Sequence, residues 1–251
     1  YDVDTYGDLI YVNRSSAYLD IYRVTLLDSD GDGKLEPNQH PDNPLDLGPK
    51  EGRTLTLVKT LTKSADLVPL GTASKAELYI TADRVFSLGP TRNGDITEYN
   101  LLTKTNTLVV DSTATFALSM MGYAEQEGIW YGGREDTSLR YVYSFHQPSK
   151  SWVSEFAFPS LGGGHFDGIE AIVAPSTGVQ YIYVSDMTSD YIGQYRRDGV
   201  GGWVKENIFR YNDATGSSVE GMGFGALNHL WATGGSTLYE LGGGDLSTYL
   251  E

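Results

Sequence analysis

One motif returns along this 251-residue chain at a nearly constant interval. A short apolar-aromatic core appears as Leu9-Ile10-Tyr11-Val12, Leu78-Tyr79-Ile80-Thr81, Ile129-Trp130-Tyr131-Gly132, Tyr181-Ile182-Tyr183-Val184 and Leu230-Trp231-Ala232-Thr233. With Tyr11, Tyr79, Trp130, Ile182 and Trp231 as anchors, the separations are 68, 51, 52 and 49 residues. The long first interval contains a polar insertion, residues 28–48, and shortens to 47 without it. Five copies of one unit of about fifty residues exclude most folds, because each unit must bury its apolar face against the next.

Within each copy a second segment alternates apolar and polar residues: Asp20–Val24, Asp95–Tyr99, Leu139–Tyr143, Ile192–Arg196 and Thr237–Leu241. Period two is the signature of a half-buried strand. A further strand follows in Thr54–Val58, Thr107–Val110 and Trp152–Phe156. Stretches of small and apolar residues precede the anchors, at Val68–Gly71, Phe116–Met120, Gly168–Ile172 and Val219–Gly223, and suit crowded innermost strands near an axis. The segment from Ala73 to Phe86 alternates nearly as well as it fits a helix, and is predicted as strand. Four strands per unit of roughly 45 residues predict an all-β, five-bladed β-propeller, a single domain over residues 1–251. The first unit has at most Tyr1–Asp4 for an innermost strand, so either the ring closes with that stub or the ring has more blades and chain precedes Tyr1; five blades are the expectation.

Composition fits this reading. Glycine is abundant at 30 residues, and tyrosine at 18, as turns and strands require. Acidic residues outnumber basic ones by 33 to 18, which argues against nucleic acid as a partner. No run of roughly 18 apolar residues is present to form a membrane-spanning helix. Cysteine is absent, which removes disulfides, thiolate metal sites and a cysteine nucleophile. The chain begins at Tyr1 without a leader, as a mature or excised form would. The acidic, cysteine-free, glycine-rich composition leans toward a secreted, cell-surface or periplasmic protein.

The strongest local signal lies in the insertion, Asp28-Ser29-Asp30-Gly31-Asp32-Gly33-Lys34-Leu35-Glu36. Carboxylates of Asp28, Asp30 and Asp32 at positions 1, 3 and 5 converge on a hard cation. Gly33 permits the turn at position 6, and the Lys34 carbonyl adds an oxygen at position 7. Position 12 is Gln39, not a bidentate glutamate, and Pro37 stops an exiting helix. The loop therefore resembles the freestanding calcium loops of dockerins and thrombospondin type 3 repeats more than an EF-hand. Glu36, Asn38 or Asp42 would complete the shell. Calcium is the expected cofactor, in a structural role.

Two glutamates fall at equivalent points of the fourth and fifth units, Glu170 in Asp167-Gly168-Ile169-Glu170-Ala171-Ile172 and Glu220 in Ser218-Val219-Glu220-Gly221-Met222. On innermost strands they would face one central channel, with Asp167 and His165 at its mouth. The fourth unit, with Tyr181–Asp186 and Ile192–Gly199 following, resembles a blade of the gluconolactonase and phytase-like propellers. That resemblance implies Glu170 and Glu220 as ligands of a second divalent metal on the axis, with a metal-bound water as nucleophile. It covers two of five units; Val68–Leu70 and Ala117–Ser119 carry no matching acid.

Other chemistry finds less support. His40, His146, His165 and His229 have no tight ligand spacing for zinc, and Gly162–His165 reads as a connection between blades. No serine elbow or dinucleotide glycine pattern occurs. The sequence therefore predicts an exported, calcium-binding recognition or assembly module for an extracellular ligand, a glycan or a protein. Two enzymatic alternatives stand beside it: a metal-dependent hydrolase of the lactonase or phytase-like kind using Glu170 and Glu220, and a glycoside-cleaving propeller using Asp4, Glu170 and Glu220.

Overall fold

A computed structural model describes residues 2–14, 17–35, 52–62, 78–88, 93–113, 115–134, 140–159, 161, 166–174, 178–186, 191–210 and 220–243. These form five antiparallel sheets arranged as five blades. Blade one is β1 (Asp2–Tyr6), β2 (Leu9–Asn13), β3 (Tyr18–Leu27) and β4 (Gly52–Thr62). Blade two is β5 (Leu78–Thr81), β6 (Arg84–Leu88), β7 (Ile96–Asn100) and β8 (Thr105–Val110). Blade three is β9 (Met120–Ala124), β10 (Ile129–Gly133), β11 (Tyr141–His146) and β12 (Ser151–Ala157). Blade four is β13 (Phe166–Val173), β14 (Gln180–Asp186), β15 (Tyr191–Arg197) and β16 (Trp203–Arg210). Blade five holds β17 (Gly221–Phe224), β18 (His229–Gly234) and β19 (Thr237–Gly243). In every sheet the strands pair in chain order, which makes each blade a meander.

The five innermost strands meet side by side in one closed circuit, β1 to β5, β9, β13, β17 and back to β1. Glycine makes the tightest approaches possible. A Cβ on Gly223 would lie 2.5 Å from the Asp4 Cα and 2.8 Å from the Val3 carbonyl oxygen. Gly122 stands in the same relation to β13, where a Cβ would meet the Ala171 nitrogen at 3.2 Å.

Period-two patterning sends alternate side chains to opposite neighbours. On β14, Ile182 and Val184 pack toward blade three, while Tyr181 and Tyr183 pack toward blade five. The core is accordingly five apolar clusters, one at each blade interface. Tyr11, Leu19 and Ile21 meet Ile80 and Tyr99 between blades one and two. Phe86 and Ile96 meet Met121 and Trp152 between blades two and three. Val3, Ile10 and Val24 meet Ala226 and Trp231 at the seam between blades one and five. The Trp152 indole N–H donates to the Gly94 carbonyl, and that of Trp231 to the Ala226 carbonyl, both at 2.8 Å, so each ring enters its cluster with its polar atom satisfied.

Blade two corrects the register read from the repeat. Tyr79, taken as a second-strand anchor like the others, sits on the innermost strand β5. The expected single strand from Ala73 to Phe86 is, where described, a hairpin: Thr81 pairs with Arg84 across a turn at Ala82 and Asp83. Ala82 there takes φ 47°, a left-handed value that glycine or asparagine usually supplies. Blade one is also corrected, since β1 is a full five-residue innermost strand and not a stub. In blade three the innermost strand is Met120–Ala124, a few residues beyond the stretch expected. Val68–Gly71 lies outside the described residues.

Candidate functional site

The axis carries a cavity of about 320 Å³, to which all five innermost strands contribute. Its walls come from Asp4–Gly7, Tyr79 and Ile80, Tyr123–Gln126, Glu170–Val173 with Gln180, and Phe224–Gly225. For β1, β9, β13 and β17 these are the C-terminal ends of the strands, so the cavity lies at one end of the ring.

Alternation along β1 aims Asp2 and Asp4 at blade two. Asp2 accepts the Leu78 backbone N–H and Asp4 accepts that of Ile80, so two carboxylates serve the inner edge of β5. Asp4 also accepts the Thr5 N–H at 2.8 Å. Glu170 does the same between blades four and five, accepting the Phe224 N–H of β17. Thr5 Oγ1 accepts the Ala226 N–H at 3.0 Å. Acids on the innermost strands thus bind neighbouring blades through backbone amides that would otherwise face the axis without partners.

These acids are deeply buried: Asp4 is 3 % exposed and Glu170 9 %. Burial pushes the Asp4 carboxyl well above the usual carboxylate range; the Thr5 and Ile80 amides oppose the rise, and the charges of Asp2 and Glu125 add to it. Burial likewise raises Glu170, and Asp4 and Asp2 push it further. Glu125 stands exposed at the mouth and accepts a hydrogen bond from the Tyr79 hydroxyl. Burial, then that bond, drives the Tyr79 phenol upward. Tyr79 and Tyr123 lie with ring centroids 5.2 Å apart, and both contact Trp130.

Of the two glutamates singled out by the repeat, Glu170 lines the cavity beside Asp4. Glu220 precedes β17, donates its N–H to the Thr233 carbonyl at 2.8 Å, and is not among the lining residues. The axial acids that act on Glu170 are Asp4, Asp2 and Glu125. Asp2 and Glu125 were not legible as site residues, because no spacing rule links a strand terminus of blade one to a turn of blade three. Asp167 falls in β13 at a register shift between Phe166 and Gly168. His165 lies outside the described residues.

The acidic insertion connects β3 to β4. Asp28 accepts the Gly31 N–H at 2.7 Å and the Gly33 N–H at 3.0 Å. Asp30 accepts the Asp32 N–H at 3.1 Å, and Asp32 that of Lys34 at 2.8 Å. Gly31 and Gly33 take φ 76° and 81°, the left-handed values that let the loop coil on itself. The coil brings carboxylate oxygens of Asp28, Asp30 and Asp32 within 4.8 Å of one another, all exposed. Among the described residues no other trio of His, Asp or Glu gathers so closely. The donors are all hard oxygens, which fits calcium. Lys34 is described and its carbonyl follows the triplet; Glu36 lies outside the described residues.

No protein-family model matches this sequence, and no curated protein matches it. Solved structures of propeller type do overlap it, and their functions vary. A gluconolactonase from Xanthomonas campestris aligns with 99 % of this chain and 74 % of its own at 11 % identity, with a TM-score of 0.49. A nidogen/laminin complex aligns over 94 % and 78 % at 11 % identity, with a TM-score of 0.47. A mitotic checkpoint complex aligns over 92 % at 10 % identity and a TM-score of 0.42, and this chain spans 57 % of the matched chain. At such identities no activity or partner passes from them to this protein. Among the described residues, no helix is long and apolar enough to cross a membrane.

Proposed function

We propose that this protein is a calcium-binding recognition or assembly module that works outside the cytoplasm. The observation that carries the reading is the convergence of Asp28, Asp30 and Asp32 at the end of the long β3–β4 strand pair, whose β4 is largely exposed. Strand β4 runs eleven residues and leaves Leu55, Leu57 and Val58 in solvent. An ion held by the three carboxylates and the Lys34 carbonyl would fix the crossing from β3 to β4 and so set the shape of this apolar edge. Strand edges of this kind pair with extended segments of other chains.

The proposed compartment rests on the weak affinity expected of such a site. An exposed loop without a bidentate glutamate at its twelfth position belongs with the weak calcium sites of extracellular modules, whose affinities lie at roughly 10⁻⁴–10⁻³ M. Cytosolic calcium would leave it empty. Calorimetric titration tests the reading: calcium is expected to bind with one-to-one stoichiometry in that range, and Asp30→Ala to abolish it. Absence of calcium binding at millimolar concentration in the unaltered protein overturns it.

A second reading, hydrolysis at the axis, rests on the raised carboxyls of Asp4 and Glu170 within one cavity. An acid kept protonated beside a second carboxyl is the arrangement that glycoside cleavage uses. A panel of glycosides, lactones and phosphoesters tests it, with turnover expected to vanish in Glu170→Gln. Against it stands the engagement of both acids with the backbones of adjacent blades.

A further inference from the structure

We infer that the axial cavity is a binding site for an organic cation, an alkylammonium or guanidinium group, held between Glu125, Glu170 and the rings of Tyr79 and Tyr123 that line it. The inference goes beyond the calcium-dependent module above and does not depend on it, since the two sites share no residue.

The first ground is size. A volume of about 320 Å³ stands at the low end of small-molecule sites, which span roughly 300–1,000 Å³. A bare metal ion would leave most of it unfilled.

The second ground is an acidic lining with no basic residue in it. Asp4, Glu125 and Glu170 all line the cavity, and the lining residues include no Lys, Arg or His. Arg197, which lies beyond Gln180, is already held by Glu127 at 3.3 Å and by the Trp203 face at 4.3 Å. Glu170 is nine-tenths buried, and the Phe224 amide takes up one of about four lone-pair positions on its carboxyl. A ligand bearing N–H donors and a positive charge satisfies the rest.

The third ground separates an organic cation from a metal. No three acidic oxygens at the axis come within 4.8 Å of one another among the described residues, whereas calcium asks for six to eight oxygens at about 2.3–2.6 Å. Two tyrosine rings stand at the same wall, and aromatic faces attract ammonium and guanidinium groups. Gln126 and Gln180 add neutral acceptors suited to N–H donors.

The test uses the whole chain in chelator, which removes calcium from the β3–β4 loop. The probes are N-acetyl-lysinamide, standing for a side chain on a protein surface, 1,4-diaminobutane, standing for a free polyamine, and N-acetyl-norleucinamide as a neutral isostere. NMR titration is expected to give saturable shifts for at least one cation and none for the isostere. Saturation by the lysinamide alone assigns the site to a protein side chain, and saturation by the diamine alone to a free polyamine. Glu125→Gln, at an exposed position, is expected to weaken binding roughly tenfold, and Asp30→Ala to leave it unchanged. Equal binding of the isostere, unchanged affinity in Glu125→Gln, or no saturation by either cation at millimolar concentration overturns the inference. The calcium titration reads out separately, so failure here is distinct from failure there.

Discussion

Arg53 on β4 and Glu240 on β19 form a two-pronged ion pair across the seam where the last blade meets the first, with Nε to Oε2 at 2.6 Å and Nη2 to Oε1 at 2.9 Å. His229 on β18 contacts the same carboxylate through Nδ1. Arg53 and Glu240 are both largely buried, at 13 % and 19 % side-chain exposure. Blades one and five are also joined by Gly221 and Gly223 against β1 and by the cluster around Val3 and Trp231. Polar and apolar contacts therefore close the ring together.

Breaking this pair is expected to loosen the seam. Arg53→Met leaves a partly buried carboxylate with one partner fewer, and should cost about 2–3 kcal/mol in denaturant unfolding. Burial raises the Glu240 carboxyl, but the bonds from His229 and Arg53 outweigh it and leave its affinity for protons below the ordinary value of 4.5. Because the folded state holds the proton less tightly than the unfolded chain, the pair's contribution is complete above about pH 4.5 and is lost as pH falls below it. Unfolding curves between pH 7 and pH 3 should show that loss in the unaltered protein and a smaller one in Glu240→Gln.

Glu170 should behave in the opposite sense. Its folded-state carboxyl is raised by burial and by Asp4, so the native protein binds this proton more tightly than the unfolded chain does. Stability then falls as pH rises from the ordinary carboxylate range toward neutrality. Glu170→Gln keeps an oxygen for the Phe224 N–H and removes the charge. It is expected to stabilise the protein at pH 7 by about 1 kcal/mol or more and to do little at pH 4. Thermal unfolding at the two pH values checks this; a loss of stability at pH 7 would show that the axis needs the charged form.

Calcium should be linked to folding through the β3–β4 loop. A ligand at a hundredfold excess over its dissociation constant adds about 2.7 kcal/mol, or roughly 5–10 °C in a domain of this size. The unaltered protein should gain that shift in calcium and lose it in chelator. Asp30→Ala is expected to melt at one temperature in both, and an equal fall under both conditions would mean that Asp30 serves the loop without an ion.

The closeness of β1 and β17 leaves no room for a side chain at Gly223. A methyl group there would sit 2.5 Å from a backbone carbon that cannot step aside. Gly223→Ala should cost about 1–3 kcal/mol and lower the unfolding midpoint without changing the slope of the transition. Gly122→Ala, whose nearest backbone neighbour would be at 3.2 Å, should cost less.

Several features of the fold are legible in the sequence alone. The recurrence of Tyr11, Trp130, Ile182 and Trp231 locates the second strands of four blades. Blade two escaped because Ala82 holds the left-handed turn position between β5 and β6, where sequence reasoning looks for glycine or asparagine. Without that punctuation two short strands read as one, and Tyr79 slipped from the innermost strand to the next.

The axial site was half legible. Glu170 stood out because its unit repeats a pattern, whereas Asp4 entered only as one of three channel carboxylates of a glycoside-cleaving propeller. Glu125 gave no such signal: it belongs to the turn Glu125–Gly128 between β9 and β10, where an acid is ordinary. Its role at the cavity mouth arises from Tyr79 in the neighbouring blade.

The sequence by itself determined the number of blades, the strand alternation that divides each blade between two neighbours, and the spacing of the three aspartates before Gly33. These are local properties, fixed by residue period and by covalent distance along the chain. The tertiary structure alone decided which acids meet at the axis and how the ring closes. Residues as far apart as Asp4 and Glu170, or Arg53 and Glu240, come together only because five separate sheets share one axis, and no local periodicity encodes how side chains from different blades face one another there.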